Sequence, residues 1–154
     1  MANYFFDSSS LMKRYAKEKG SAWIISLFRT FSNNRIYVAE ITFVEVISAL
    51  SRRHRGKSIS TQTYKKAVDR FRRNFKTKFF ATDIDTQLID LASDLAEKHI
   101  LRGYDAVQLA CAVQLHQLRQ KAKLSPFIFV SADNALNQAA QNEGLTVVNP
   151  NNYP

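Results

Sequence analysis

Four acidic side chains occupy positions at which a metal-dependent reaction could take place. Asp7 directly follows a run of three aromatic residues, and Asp133 comes shortly after a second apolar run. Asp105 introduces the most apolar helical pattern of the chain, and Glu45 lies early in another helical pattern. In open α/β sheets, ligands bind beyond the carboxyl ends of the strands. We therefore expect Asp7 and Asp133 to lie together at that edge of a sheet.

Each of these acids also has a purely structural interpretation. Asp and Ser are favoured as helix N-caps, so Asp7 and Asp133 are explained equally well as caps. Asp105 lies in a first helical turn, where the helix dipole favours an anion. Glu45 lies beside an apolar stripe that we expect to face the core, formed by Ile41, Val44, Ile47 and Leu50. From there Glu45 could reach water or bond Arg or Ser. Each position considered separately leaves both interpretations open.

A cluster of all four acids would carry excess negative charge and would repel itself. A divalent cation relieves that repulsion, and oxygen ligands suit Mg²⁺ or Mn²⁺. Water activated by such a metal can attack a phosphodiester, and the metal also neutralises charge on the phosphate. Convergence of the acids would therefore indicate hydrolysis of a phosphate ester.

Composition favours a folded basic protein. The chain has 154 residues with 45% hydrophobic content, and its single cysteine, Cys111, excludes an intrachain disulfide. We expect one domain over residues 1–154, no membrane span and a cytoplasmic location, because there is neither a signal-like start nor a long apolar run. The net charge of +9, from 22 Lys and Arg against 13 Asp and Glu, attracts polyanions such as nucleic acid.

One predicted helix, over residues 61–76, carries much of the positive charge. Lys66, Arg70 and Arg73 recur at helical spacing on the face opposite to its apolar side. This face could lie along an RNA backbone, where each phosphate contact would be electrostatic and sensitive to salt. The alternative is an ordinary solvated face.

The predicted elements alternate along the chain. Hydrophobic patterns predict strands over residues 4–6, 35–38, 79–82, 127–130 and 145–148. They predict helices over residues 8–19, 21–31, 42–53, 61–76, 85–99 and 106–118, with a last helix to about 143. Strands separated by helices indicate an α/β fold with a parallel sheet covered by helices on both faces.

Four segments in this order, residues 6–15, 40–46, 101–110 and 129–133, resemble the motifs of PIN domains. The chain is most similar to the VapC-type ribonuclease toxins of prokaryotic type II toxin–antitoxin pairs. The resemblance implies a three-layer α/β/α fold with a central parallel sheet and Mg²⁺-dependent endoribonuclease activity. It also implies a homodimer that is held inactive by a cognate antitoxin protein.

The resemblance further implies roles for individual residues. The family's four acids, in order, match Asp7, Glu45, Asp105 and Asp133. Asp7 and Asp105 would bind the metal directly, whereas Glu45 and Asp133 would position metal-bound water. Ser9 and Ser131 match hydroxyl positions that bond the carboxylates or the waters. No acid of the motif is missing.

Two other classes of function remain possible from the sequence. A basic domain could hold nucleic acid without chemistry; its acids would then be caps, and its binding would persist in EDTA. Alternatively, Asp7 could accept a phosphoryl group, as a nucleophile after a first strand does in aspartyl-phosphate enzymes. Ser9 occupies the place at which a second aspartate would support such a phosphatase.

Overall fold

A computed structural model describes residues 1–29 and 32–153. Its strands form one parallel five-stranded sheet in the order β3-β2-β1-β4-β5. The strands are Asn3–Phe6 (β1), Arg35–Ala39 (β2), Phe80–Thr82 (β3), Ile128–Val130 (β4) and Thr146–Val148 (β5). The predicted parallel sheet and the predicted order of elements are confirmed.

Helices connect successive strands and cover both faces of the sheet. They are Ser8–Met12 (α1), Ser21–Ser26 (α2), Thr42–Arg55 (α3), Thr61–Thr77 (α4), Thr86–His99 (α5), Gly103–Lys121 (α6) and Asn134–Asn142 (α7). A short 3₁₀ helix, Pro150–Asn152, follows β5. None of these helices is both long and apolar enough to cross a membrane, within the residues described.

Two hydrophobic cores lie on opposite faces of the sheet. Successive side chains of a strand point to opposite faces, and Phe5 and Phe6 accordingly enter different cores. Phe5 packs with α5, α6 and α7 through residues such as Leu109. Phe6 packs with α1 to α4 through residues such as Leu50 and Phe71. The three-layer α/β/α architecture is therefore confirmed.

The first two helices are shorter than their patterns predict. Helix α1 ends at Met12 rather than near residue 19, because Lys13 is buried and its Nζ donates to the carbonyl oxygen of Lys19 at 2.9 Å. Turns continue to Ala16, and Gly20, at a φ of 84°, precedes α2. Helix α2 ends at Ser26, whereas the prediction extended to Phe31, which lies outside the described residues.

Helix α3 is rotated relative to its predicted apolar stripe. Its fully buried residues are Thr42, Val46 and Leu50, which recur at intervals of four. Val44, which was expected to face the core, is 62% exposed. The rotation turns Val44 and Glu45 toward a groove at the carboxyl edge of the sheet. The expectation that Val44 belongs to the core was wrong.

Helix α6 begins at Gly103, three residues before its predicted start at 106, so Asp105 lies within its first turn. It is buried along much of its length, as its composition predicts. Cys111 is 1% exposed, and burial raises the pKa of its thiol to about 11. This side chain is therefore a small core residue, as expected.

Candidate active site

Adjacent strands bring the first and last acidic motifs together. Phe6 of β1 is in register with Val130 of β4, so the residues that follow both strands meet at one edge. The Ser131 hydroxyl donates to Asp7 Oδ2 at 2.7 Å. The backbone N–H of Asp7 also donates to the Val130 carbonyl at 3.2 Å. The predicted proximity of the two motifs at the carboxyl edge is confirmed.

Asp7 is a buried carboxylate surrounded by donors. Its side chain is 3% exposed, and the Ser9 hydroxyl lies 2.9 Å from Oδ1 and 2.7 Å from Oδ2. The Ser10 backbone N–H donates to Oδ1 at 2.8 Å, so Asp7 also caps α1. Burial raises the pKa of Asp7 above its ordinary value, while the hydrogen bonds from Ser131, Ser10 and Ser9 lower it to a smaller extent.

The two predicted serines link the acidic motifs. Ser9 Oγ accepts from the backbone N–H of Ala132 at 3.0 Å while it donates to Asp7. Ser131 Oγ likewise accepts from the backbone N–H of Asp133 at 3.1 Å. Each hydroxyl therefore bonds a carboxylate and fixes the loop after β4 at the same time.

Glu45 is held by donors from two other helices. Ser8 Oγ donates to its Oε2 at 3.0 Å, and Gln108 Nε2 donates to its Oε1 at 2.7 Å. Burial raises the pKa of Glu45, and the hydrogen bonds from Gln108 and Ser8 oppose that shift. The negative charges of Asp7 and Asp105 raise this pKa further, so all three acids lie within electrostatic reach of each other.

Asp105 and Asp133 complete the acidic cluster. Burial raises the pKa of Asp105, the charges of Asp133 and Asp7 add to that effect, and Arg102 lowers it. The Asp105 carboxylate accepts no hydrogen bond within the described part of the chain. Asp133 caps α7 through a 2.9 Å bond from the Leu136 backbone N–H. Asp7 and Asp133 are therefore both helix N-caps and members of the acidic cluster.

The donor set fits a hard divalent cation. Every candidate ligand is a carboxylate or hydroxyl oxygen, which suits Mg²⁺ or Mn²⁺. Among the described residues, no group of three or more His, Cys, Asp and Glu side chains is arranged to hold one metal ion jointly. Mg²⁺ usually takes only one or two protein carboxylates and keeps several waters, so two of these acids would be sufficient to hold it.

An open groove of about 980 Å³ adjoins the cluster. Glu45 and Asp105 line it together with basic side chains, namely Lys13, Arg52, Arg53 and Arg102. Lys66, Arg70 and Arg73, the residues predicted to bind RNA, are exposed on α4 and are absent from the described lining of the groove. The acids and the groove are thus brought together, while the basic face of α4 lies outside it.

Sequence reasoning missed three residues that shape this site: Ser8, Arg52 and Gln108. Gln108 had a detectable signal, because it is a polar residue within the most apolar helix and lies one turn after Asp105. Ser8 was read only as part of a helix start. Arg52 had no signal of its own within a strongly basic stretch.

The family model of the PIN domain matches residues 4–142. The chain belongs to the PIN domain family. No curated protein matches the sequence significantly.

Solved structures share the fold at low sequence identity. VapBC2 from Rickettsia felis, bound to a promoter DNA fragment, is 13% identical with a TM-score of 0.61, covering 96% of this chain and 98% of that one. PAE2754 from Pyrobaculum aerophilum is 14% identical with a TM-score of 0.61, covering 98% and 91%. A toxin–antitoxin complex from Klebsiella pneumoniae is 17% identical with a TM-score of 0.58, covering 96% and 97%.

Proposed function

We propose that the protein is an endoribonuclease that depends on Mg²⁺ or Mn²⁺ and acts as the toxin of a type II toxin–antitoxin pair. The observation that carries this proposal is the convergence of four acids at the carboxyl edge of a parallel sheet, beside a groove with basic walls. The net charge of +9 supports a polyanionic substrate. Membership of the PIN family supports nuclease chemistry, since PIN domains are generally nucleases.

Within this proposal, Asp7 and Asp105 hold the metal ion. Ser131, Ser9 and the Ser10 backbone N–H keep the Asp7 carboxylate oriented, and their hydrogen bonds oppose the rise in its pKa that burial causes. The Asp105 carboxylate is less restrained than that of Asp7, because it accepts no hydrogen bond from the described residues. When bound, the cation would make water easier to deprotonate and would neutralise charge that develops on the phosphate.

Glu45 and Asp133 then orient water for in-line attack on the RNA phosphate. Glu45 is suited to this task because Gln108 and Ser8 fix both of its oxygens. Asp133 is fixed by its cap bond through Oδ1, so its other oxygen is available to water. When carboxylates hold the water rigidly beside the phosphate, the attack of water on phosphate becomes effectively unimolecular.

A non-catalytic nucleic-acid-binding domain explains the same charge but not the buried cluster. Burial raises the pKa values of Asp7, Glu45 and Asp105, and the charges of neighbouring acids raise those of Glu45 and Asp105 further. Caps at solvent-exposed helix ends need no such crowding. The crowding therefore favours an enzyme.

The proposed partners are an RNA substrate, a cognate antitoxin protein and a second copy of the chain. Support comes from the neighbours, since the Klebsiella pneumoniae structure is a toxin–antitoxin complex and the Rickettsia felis VapBC2 complex is bound to promoter DNA.

Incubation of the purified protein with a mixed panel of RNAs tests the proposal. We expect cleavage with Mg²⁺ or Mn²⁺ and none in EDTA, with addition of excess Mg²⁺ restoring it. RNA that is retained in EDTA but never cleaved at any metal concentration would instead support the binding domain.

A further inference from the structure

One face of α3 forms a wall of the groove and leads away from the acids. Glu45, Ser48, Ala49 and Arg52 line the groove at helical spacing, so they follow one another along the same face. Glu45 belongs to the acidic cluster, whereas Arg52 lies at the far end of this face. The wall therefore changes from negative to positive along its length.

Arg52 has no acidic partner among the described residues, unlike Lys13 and Arg53, while Arg102 lies close enough to Asp105 to lower the pKa of that acid. Glu18 forms ion pairs with Lys13, at 3.1 Å, and with Arg53. Arg52 is exposed, and within the described part of the chain its guanidinium donates only to Ser48 Oγ, at 2.7 Å, a contact within its own helix. The charges of Lys13 and Arg53 are thus largely satisfied within the protein, while that of Arg52 is available to a ligand.

Arg52 also lies well along α3 from the acidic cluster. It lies seven residues after Glu45, which corresponds to about 10 Å along a helix that rises 1.5 Å per residue. Neighbouring phosphates of a helical strand are spaced by about 3.4 Å along the axis, and those of an extended strand are spaced further apart. A strand cut at the acids could therefore place one of its next few phosphates at Arg52.

Exposed nonpolar surface accompanies this charge at the acidic end. Val44 and Tyr104 both line the groove, and each is 62% exposed. They directly precede Glu45 and Asp105, respectively. Single-stranded nucleic acid is held by such a combination, in which bases stack on aromatic side chains and cations follow the backbone. A free phosphate ion would not contact the nonpolar surface of Val44 and Tyr104 favourably.

We propose that Arg52 binds a backbone phosphate of single-stranded RNA a few nucleotides from the cleaved bond, so that the strand runs along α3 with its scissile phosphate at Glu45 and Asp105. This assignment rests on the proposed ribonuclease function. It places the main phosphate contact in the groove rather than on α4.

Binding measurements on full-length protein test the assignment independently of cleavage. The probe is a fluorescein-labelled single-stranded RNA of mixed sequence, added in Mg²⁺ to protein that carries Asp7→Asn, which we expect not to cut. Arg52→Gln should weaken binding about tenfold, because a charged hydrogen bond is lost. The slope of log affinity against log salt should fall by about 0.7, as expected for one phosphate of a single strand.

Arg55→Gln is the matched control, since Arg55 ends the same helix, is exposed and is not among the described lining residues. It removes the same charge and should change the affinity little. Arg52→Lys should recover part of the affinity, because it retains the charge but not the planar fork. Equal losses for Arg52→Gln and Arg55→Gln would overturn the proposal, because the effect would then be one of net charge.

A scan with uncharged methylphosphonate linkages locates the contact. An uncharged linkage at one position, distinct from the scissile bond, should weaken binding to the protein that retains Arg52. The same linkage should not weaken binding to the Arg52→Gln protein any further. The proposal would be overturned if no uncharged linkage had an effect that depends on Arg52, or if only the linkage at the scissile position did. Arg52-dependent binding by an otherwise wild-type protein that never cleaves would support the subsite while contradicting the ribonuclease function. Cleavage and RNA binding that are both unchanged by Arg52→Gln would support the ribonuclease function while contradicting the subsite.

Discussion

The side-chain amide of Gln108 donates to Glu45 Oε1 at 2.7 Å and to Thr42 Oγ1 at 2.8 Å. Gln108 is 1% exposed and lies one turn after Asp105 on α6, so a buried group ties the helix of one acid to the carboxylate of another. Its Nε2 can donate in this way only while Glu45 presents an acceptor. Gln108 is therefore a positioning residue for Glu45.

Replacement of Gln108 by Leu should lower cleavage by roughly 10–100-fold while the fold survives, which is the usual effect of losing a group that orients a functional carboxylate. Gln117→Leu on the exposed side of α6 is the control and should leave cleavage unchanged. In a Glu45→Gln background, Gln108→Leu should add little, because the two residues act as a unit. Additive losses in cleavage rates would show that Gln108 acts elsewhere.

Asp105→Asn should raise the melting temperature of the metal-free protein. The Asp105 carboxylate accepts no hydrogen bond in the described chain. Burial and the charges of Asp133 and Asp7 oppose its ionisation, so neutralising it removes both costs at little loss. Calorimetry in EDTA measures the gain, with the exposed Asp94→Asn as the control. Excess Mg²⁺ should reverse the order, because only the wild-type cluster gains full binding energy. A lower melting temperature for Asp105→Asn in EDTA would contradict crowding of the acids.

The same burial and repulsion predict a pH dependence of stability. The folded state raises the pKa of Asp105 above its ordinary value of 3.8. In the pH interval between the ordinary and the raised pKa, the folded state therefore holds more protons than the unfolded state. The stability of the metal-free wild type should therefore fall as pH rises through the interval. The advantage of Asp105→Asn in melting temperature should be greatest at neutral pH and vanish once pH drops below about 3.8. An advantage that is constant with pH would exclude this charge as its cause.

The basic face of α4 should matter only for RNA that extends beyond the groove. Lys66, Arg70 and Arg73 are exposed and are not among the described lining residues of the groove. Changing all three to Gln should reduce affinity for a long RNA and flatten its salt dependence, because up to three phosphate contacts are lost. An RNA of a few nucleotides should bind as before. Filter binding with RNAs of graded length measures both effects, and equal loss at every length would contradict this division.

Local patterns were sufficient to predict the sheet and the acids at its edge. Asp7 and Asp133 follow buried strands, and parallel strands present their carboxyl ends at one edge, so their convergence followed from strand positions. The early end of α1 was not predictable, because it depends on the buried contact of Lys13 with the Lys19 carbonyl. Tertiary packing likewise decided whether Val44 or Val46 faces the core, since both are equally apolar in the pattern.

The polar supports of the site were the least predictable part. The contact of Gln108 with Glu45 joins residues 63 positions apart, and no local pattern reports such a pair. Arg52 and Arg70 are similar in type and in local charge, and only the folded chain separates a residue of the groove from one outside it.

Cleavage of a mixed RNA panel by the wild type and by Asp7→Asn, each with Mg²⁺, with Mn²⁺ and in EDTA, tests the central claim most directly. The account predicts that only the wild type with metal cuts RNA, and that circular dichroism shows Asp7→Asn to be folded. The loss should exceed the roughly 10–100-fold that follows removal of an outer supporting residue. Full cleavage by folded Asp7→Asn, or cleavage that persists in EDTA, would contradict a metal-dependent site built on Asp7.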